Sequence, residues 1–245
     1  MQNDPYNKYN FPVNSFAGMK FNNPFLRTVR YILILLLLVI SIKAGAQGVR
    51  FSVIAEPQLS WLKSNTPGVS NNGVVAGFNA GMKSEFFFNP TYAFSTGVTI
   101  GHLGGKLQFE EGMEIRFDHG TDFLEPGSTV KYNLRYVTIP VGMEFISREI
   151  GYTTIYSNLG FGTHFNISAT ADDSRSEFKD AGIKDEINLF GMSYHIGAGI
   201  YYSLGGQTAL IGGVIYRHHF MDLITSKSDY NALSHSIFLR TGILF

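Results

Sequence analysis

From residue 50 to the end of the chain, bulky apolar side chains alternate with small or polar ones at a spacing of two. A period of two is typical of a β-strand whose two faces meet different environments. The alternation recurs in eight segments, which predicts eight strands. Their predicted bounds are 50–61, 74–87, 91–102, 130–145, 152–168, 188–203, 207–220 and 233–245.

The connections between these segments alternate between long and short. The short ones contain Asn89-Pro90, residues 148–151 and residues 204–207, with residue types typical of tight turns. The long, polar ones are 62–73, 103–129, 169–187 and 221–232. Outer-membrane barrels combine short periplasmic turns with longer extracellular loops. The sequence therefore predicts an all-β fold: an eight-stranded antiparallel up-and-down transmembrane β-barrel with both ends in the periplasm.

The two faces of each predicted strand differ in a way that favours a membrane. In segment 74–87, Phe78 and Met82 share one face, whereas Asn79 and Lys83 share the other. A soluble barrel, such as a lipocalin-like one, is the alternative, but it would pack its bulky side chains inside. Segment 207–220 is apolar on both faces, which leaves its orientation open.

Composition agrees with this interpretation. Only 16% of the residues are charged, against a typical share of about 25%, and 14% are aromatic. Basic and acidic residues are equal in number, so the basic excess typical of nucleic-acid binding is missing and no nucleic-acid partner is expected. The sequence has no cysteine, which excludes disulfides and a lipidated cysteine.

Residues 1–46 are predicted to be a signal peptide region. The apolar run 31–42 is too short for a membrane-spanning helix, which needs about 17–25 residues, and matches the apolar centre of a signal peptide. Its positive flank consists of Lys20, Arg27 and Arg30. We predict translation from Met19 and cleavage after Ala46, which leaves 47–245 as the barrel domain. A buried core helix is the alternative.

The chain ends on Phe245, at the end of an amphipathic strand. This ending resembles the C-terminal signature by which outer-membrane barrels are recognised for assembly. The expected partners of the chain are therefore outer-membrane lipid and the barrel assembly machinery, with Phe245 as the assembly signal.

The segment Leu134-Arg-Tyr-Val-Thr-Ile-Pro-Val-Gly-Met143 resembles the Tyr-x-x-Ile-Pro strand of the PorT-like outer-membrane β-barrel family. A glycine-bearing strand similar to Asn158-Leu-Gly-Phe-Gly162 follows it in that family. The resemblance implies an eight-stranded barrel in the outer membrane. Some members are linked to a protein secretion system, and many have no assigned activity. Pro140 lacks an N–H and is expected to interrupt one ladder or to mark a bulge.

Several charged residues fall on the inward face of the predicted strands. Buried charges need partners, so we predict an ion-pair network in the lumen. Its members are Glu56, Lys83, Glu85, Glu144, Arg217 and Arg240. The network would act as a structural plug, or alternatively as a gate or narrow conduit.

No catalytic, cofactor-binding or metal-binding residues are predicted. His218-His219 with Asp222 is a weak metal candidate because adjacent strand residues point to opposite faces. His164 and His195 could pair across neighbouring strands. His235 with Ser234 or Ser236 is a weak candidate for a rim-located enzyme.

The long loops are the best candidates for contact with another protein, because exposed loops are where binding is concentrated. Loop 103–129 is acidic and loop 169–187 is densely charged. The favoured hypothesis is a non-enzymatic structural or partner-binding component of the outer membrane. The alternatives are a narrow, porin-like transport channel and a lipid- or glycan-modifying enzyme at the rim.

Overall fold

The computed structural model describes residues 48–118, 120–173, 175, 179–225 and 227–245, without the side chains of Phe117 and Asp122. The predicted signal peptide, the start at Met19 and the cleavage site after Ala46 lie outside the described residues. Within them, no helix has the length and apolarity needed to cross a membrane.

The strands are β1 (Gly48–Lys63), β2 (Val69–Asn71), β3 (Val75–Asn89), β4 (Tyr92–Phe109), β5 (Met113–Phe117), β6 (Gly120–Leu124), β7 (Thr129–Ile146), β8 (Thr153–Asp173), β9 (Ala181–Gly182), β10 (Phe190–Gly205), β11 (Thr208–His219) and β12 (Leu233–Leu244). Eight of them pair antiparallel in the order β1, β3, β4, β7, β8, β10, β11 and β12. Pairing of β12 with β1 closes the ring. The predicted eight-stranded barrel is confirmed.

The predicted loops contain more strand than the sequence pattern indicated. β4 continues to Phe109 and β8 to Asp173, and β5 and β6 form a hairpin inside the predicted loop 103–129. The prediction that 103–129 and 169–187 are entirely loop is therefore wrong. The strands continue because their inward side chains become apolar beyond the bilayer and pack against one another.

The lipid-facing surface is apolar, as predicted. Phe78, Met82 and Val98 are each more than half exposed, whereas Asn79 and Lys83 of the same barrel wall are buried. In water such a surface would be unfavourable, whereas in hydrocarbon it needs no protein partner. The structure also orients β11: Leu210 and Val214 point outward, and Ile211 and Ile215 point inward.

Aromatic side chains ring both edges of this apolar surface. On the edge with the short turns, which we assign to the periplasm because outer-membrane barrels have short periplasmic turns, Tyr92 stacks on Phe88 and meets Phe145 edge to face. On the extracellular edge, Trp61 stacks on His235, with ring centroids 5.5 Å apart. Aromatic girdles at the two interfaces are typical of outer-membrane barrels.

Above the extracellular girdle the alternation reverses. On β4 the inward residues Leu103, Leu107 and Phe109 are buried, whereas His102 and Lys106 face outward. These inward residues form an apolar core with the β5–β6 hairpin and the loops. We call the described residues within 62–73, 103–134, 169–189 and 221–232 the extracellular cap. Its buried core includes Leu62, Val69, Leu103, Leu107, Phe109, Ile115, Leu124, Val130, Tyr132, Leu134, Ile183, Ile187, Leu223, Ile224 and Tyr230.

A charge placed on the lipid-facing surface should destabilise the protein. Ile196 lies near the middle of β10 and is 54% exposed, and Ile150 lies in a periplasmic turn and is 70% exposed. We expect Ile196→Arg to lower the free energy of unfolding in lipid vesicles by about 2–4 kcal/mol, and Ile150→Arg by about 0–1 kcal/mol. Equal effects in urea titrations would contradict the assignment of the membrane-facing surface.

Candidate functional site: the barrel lumen

The periplasmic third of the lumen contains a buried ion-pair cluster centred on Lys83. The Nζ of Lys83 lies 2.9 Å from Oε1 of Glu85 and 2.7 Å from Oε1 of Glu144. All three side chains are at most 6% exposed. Burial of charges is tolerated here because each charge has an oppositely charged partner within hydrogen-bond distance.

Two residues that sequence reasoning missed complete this layer. Arg50 donates from Nη2 to Oε2 of Glu85 at 2.7 Å, and the Tyr201 hydroxyl lies 2.9 Å from both Glu85 Oε1 and Glu144 Oε1. Tyr201 shares the inward parity of β10 with His195, a signal that could have identified it. We call Arg50, Lys83, Glu85, Glu144 and Tyr201 the periplasmic cluster.

A second cluster lies in the middle of the barrel. Arg240 donates from Nε to Oε1 of Glu56 at 2.6 Å, and Asn79 donates to Oε2 of the same carboxylate at 2.9 Å. Arg217 is also buried, with its guanidinium carbon 4.4 Å from the ring centroid of Phe238. Within the described residues, no carboxylate forms an ion pair with Arg217. The structure therefore groups the six predicted network residues into two ion-paired clusters and a separate arginine over an aromatic ring.

Buried histidines form the next layer toward the extracellular side. His164 lies between two hydroxyls, with Nδ1 2.8 Å from Thr138 Oγ1 and Nε2 2.7 Å from Ser193 Oγ. Its ring packs on His219 at a centroid distance of 4.3 Å. His195 instead lies opposite Gly160, so the suggested pairing of His164 with His195 is wrong.

The side chains along this lumen leave little open space below the cap. A cavity of about 460 Å³ opens at the periplasmic mouth, and Arg50 and Tyr201 of the periplasmic cluster line it. The two recesses deeper in the barrel, beside Lys83 and beside His164, measure about 20 Å³ and 10 Å³. A water molecule needs about 10–15 Å³ of such space, so each recess has room for about one water molecule, which is far less than an open channel requires.

The histidine and serine groups that the sequence suggested as metal-binding or catalytic candidates do not come together in a site. His235 faces outward, with Nδ1 2.8 Å from the Tyr216 hydroxyl, whereas Ser234 and Ser236 are buried on the opposite face of β12. His219 is likewise buried, and its neighbour His218 points the other way, toward His235. No group of three or more His, Asp or Glu side chains in the described ranges is placed to hold a metal ion.

Pro140 lies where the β4–β7 pairing is interrupted. Thr96 is paired with Val141 and Thr99 with Thr138, and the positions between these two pairs are not paired with each other. Thr96 Oγ1 donates to the Pro140 carbonyl at 3.0 Å. The expected interruption at Pro140 is therefore present. The bulge is elsewhere, on the β7–β8 side between Arg135 and Tyr136.

The C-terminal residue takes part in closing the barrel. The Phe245 N–H donates to the Phe51 carbonyl at 2.8 Å, and the Phe51 N–H donates back to the Phe245 carbonyl at 3.3 Å. The Phe245 side chain is 53% exposed on the lipid-facing surface. The proposed assembly signal is thus a half-exposed aromatic ring at the end of the closing strand.

Comparisons with solved structures find similar chains among bacterial surface and outer-membrane proteins. Neisserial surface protein A is 13% identical, with a TM-score of 0.44, over 80% of this chain and 97% of that one. A major outer-membrane protein of Thermus thermophilus is also 13% identical, with a TM-score of 0.44, over 81% and 99%. OprG of Pseudomonas aeruginosa is 10% identical, with a TM-score of 0.40, over 80% and 95%.

A comparison with the curated proteins finds no match. Residues 40–223 match the protein family described as "Outer membrane protein beta-barrel domain". That match covers well over half of the sequence and agrees with the closed ring and the apolar outer surface. The chain belongs to this family and is a transmembrane β-barrel protein of the bacterial outer membrane.

Proposed function

We propose that the protein is a non-enzymatic, closed barrel that anchors a folded extracellular cap in the outer membrane, as a structural or partner-binding component. The observation that carries this proposal is the filling of the lumen. The periplasmic cluster, the Glu56–Arg240 pair and the histidine layer lie one above another, and the apolar core of the cap closes the extracellular end.

Hydrogen bonds between the loops hold the cap in one conformation, which supports a binding role for its surface. Asn188 Nδ2 donates to the carbonyls of Asp222 and Ile224 at 3.0 and 2.7 Å, which fixes the loop before β10 to the loop before β12. The backbone N–H of Arg116 donates to the buried carboxylate of Glu186 at 3.2 Å. A surface held in one conformation loses less entropy on binding than a mobile loop does.

The outer surface of the cap has features that a protein partner would recognise. Phe123 on the β5–β6 hairpin is 61% exposed and lies directly opposite Glu114, which is also exposed. Glu110, Glu111 and Glu125, which flank the hairpin in the sequence, are exposed as well. An exposed aromatic ring within a charged rim is typical of the core and rim of a protein interface. The hairpin and the exposed described residues of segment 169–187 are therefore the proposed contact surface.

The PorT-like relationship and a link to protein secretion belong to the same proposal. The relationship is supported by the Tyr136-x-x-Ile-Pro140 segment, which forms part of β7, and by the glycines of β8 that lie opposite it, and the secretion link is proposed on that relationship alone. Gly160 and Gly162 are paired with Gly142 and Pro140, respectively. A Cβ at Gly160 would come within 2.4 Å of the Val141 carbonyl oxygen, so the motif residues require close strand contact.

Conductance in planar bilayers tests the proposal against the channel alternative. We expect no conductance steps from the purified full-length protein, because ion-paired and hydrogen-bonded side chains fill the barrel interior. A porin reconstituted in parallel controls for the bilayer, and protease protection of the barrel controls for insertion. Stable current steps would overturn the closed-barrel proposal.

The enzyme alternative has its own outcome. His235 is hydrogen-bonded to Tyr216 and separated from both neighbouring serines, so His235→Ala should leave the lipid composition of the outer membrane unchanged. A change in acylation or glycan content specific to that variant would favour the enzyme.

Partner binding is tested by co-purification after gentle solubilisation, with Phe123→Ala compared with Ile150→Ala. A partner retained equally by both variants would contradict the hairpin as the contact surface.

A further inference from the structure

Two side chains with basic groups lie on the outer wall at the level where the apolar surface ends. His102 on β4 and Arg135 on β7 are directly opposite each other in the antiparallel register. The Nε of Arg135 donates a 2.8 Å hydrogen bond to Nε2 of His102, and both side chains are exposed. The outward residues one step below them are Ile100 and Val137. The pair therefore marks the boundary between hydrocarbon and headgroups.

A second basic pair lies farther out on the same two strands. Lys106 is directly opposite Lys131, and the outward residues between the two pairs are Gly104 and Asn133. At about 3.3 Å per residue and a tilt of about 40°, this pair lies roughly 10 Å above Arg135. The headgroup region on each side of a bilayer is about 5–8 Å thick, so the two pairs bracket it.

This column carries excess positive charge. Like charges directly opposite each other on neighbouring strands destabilise a sheet. The only carboxylate in ion-pair contact with these basic groups in the described residues is Asp172, 3.8 Å from Lys131 Nζ. Arg135 and Lys106 have no carboxylate partner among those residues. Folding alone does not explain the arrangement, whereas an anionic ligand would balance it.

Beside Arg135 the barrel wall has a seam between β3 and β4. Their pairing ends at Asn79 opposite Gly101, and β3 residues 75–78 continue with pairing to β1. The Gly104 N–H and carbonyl are instead satisfied by the Ser60 hydroxyl, at 3.0 and 2.8 Å. Unpaired strand edges are not tolerated in the hydrocarbon region, so the seam begins at the boundary between hydrocarbon and headgroups.

The seam forms a cleft of about 360 Å³ in the outer wall. Its floor is apolar, formed by Val75, Ala76, Phe78 and Leu103, and His102 lines its polar edge. The volume falls in the range of about 300–1,000 Å³ typical of small-molecule sites. An apolar cleft that opens to lipid, next to an exposed guanidinium, matches an amphipathic ligand with an anionic headgroup.

We propose that this outer-wall site binds a phosphorylated lipid of the outer leaflet, with an acyl chain in the cleft and a phosphate on Arg135, Lys106 and Lys131. The occupant follows from location: the chain is an outer-membrane protein, so the groups that reach this wall are lipids. Arginine suits the role because its planar group binds phosphate through two hydrogen bonds. His102 positions that guanidinium. The proposal is independent of whether the lumen conducts.

Native mass spectrometry of the purified full-length protein tests this site, with lipid A as the phosphorylated probe. We expect wild-type protein to bind lipid A and the triple variant Arg135→Gln/Lys106→Gln/Lys131→Gln to bind about a hundredfold more weakly, which corresponds to about 3 kcal/mol at about 1 kcal/mol per basic residue. The matched control is Arg148→Gln/Lys184→Gln/Lys227→Gln, which removes the same charge from exposed positions elsewhere. It should bind like wild type.

Two further binding measurements separate the contribution of the phosphate from that of the acyl chain. Dephosphorylated lipid A should bind the wild type as weakly as lipid A binds the triple variant. Ala76→Trp, which fills the cleft from an exposed position, should also weaken lipid A binding. Equal binding by the triple variant and its control would overturn the proposal. Displacement of lipid A by inorganic phosphate at equal concentration would also overturn it, because the ligand would then be free phosphate.

Discussion

Replacing Lys83 with Met is expected to lower the free energy of unfolding by about 3–5 kcal/mol, the range for removing one partner of a buried ion pair. Glu144 would then be buried without a cation in contact, whereas Glu85 would keep Arg50. Desolvation of an unpaired carboxylate is the cause of the loss.

The double variant Lys83→Met/Glu144→Gln provides the decisive comparison. It removes the uncompensated charge and leaves the Arg50–Glu85 pair, so most of the lost stability should return. The control Arg175→Met breaks a pair with Glu125 in which both side chains are about half exposed, and it should cost at most about 1 kcal/mol.

The sequence offers a convenient probe for these measurements. Trp61 is the single tryptophan of the chain and lies in the extracellular girdle, stacked on His235. Its fluorescence should change when the barrel unfolds from lipid vesicles in urea, which gives the unfolding free energy by linear extrapolation. If the double variant were as unstable as Lys83→Met, desolvation of Glu144 would not be the cause.

The sequence pattern predicted the barrel because one physical rule acts on every spanning strand. Residues such as Phe78 and Val98 must tolerate hydrocarbon, and their neighbours Asn79 and Thr99 must fit a narrow interior. A period of two records that requirement directly. The inward direction of Lys83 followed from the same parity.

The cap was missed although its signal is present in the sequence. On β4 the apolar parity changes after Ile100, so that Leu103, Leu107 and Phe109 occupy the face that Thr99 occupied. The reversal occurs where the outside of the strand changes from lipid to water and the inside changes from a polar lumen to an apolar core. It indicates both the membrane boundary and a packed domain beyond it.

Strand parity does not predict which charged side chains pair with each other inside the lumen. Parity places Arg217 and Arg240 on the inside alike, yet Arg240 contacts Glu56 and Arg217 lies over Phe238. Which cation meets which carboxylate depends on the stagger between strands far apart in the sequence. That stagger is a property of the closed ring and not of any one strand.

The second large effect is expected in the cap, where Phe109→Ala should destabilise the packed core by about 3–5 kcal/mol. Phe109 is fully buried and meets the ring of Tyr230 edge to face at 5.2 Å. Tyr230 in turn shares a 2.7 Å hydrogen bond with Tyr132, and burial raises the pKa of the Tyr230 hydroxyl well above its usual value, so it remains a neutral partner. Loss of the Phe109 ring would leave a cavity at this contact.

The loss should be local, because regions of a protein can open separately from its most stable part. We expect protease added outside intact cells to cleave the loops of the Phe109→Ala cap, while the membrane-embedded strands remain folded and protected. Phe123→Ala removes the same ring from a 61% exposed position of the same cap and should change cleavage little. Unfolding of the whole barrel by Phe109→Ala would instead show that the cap and the barrel form one cooperative unit.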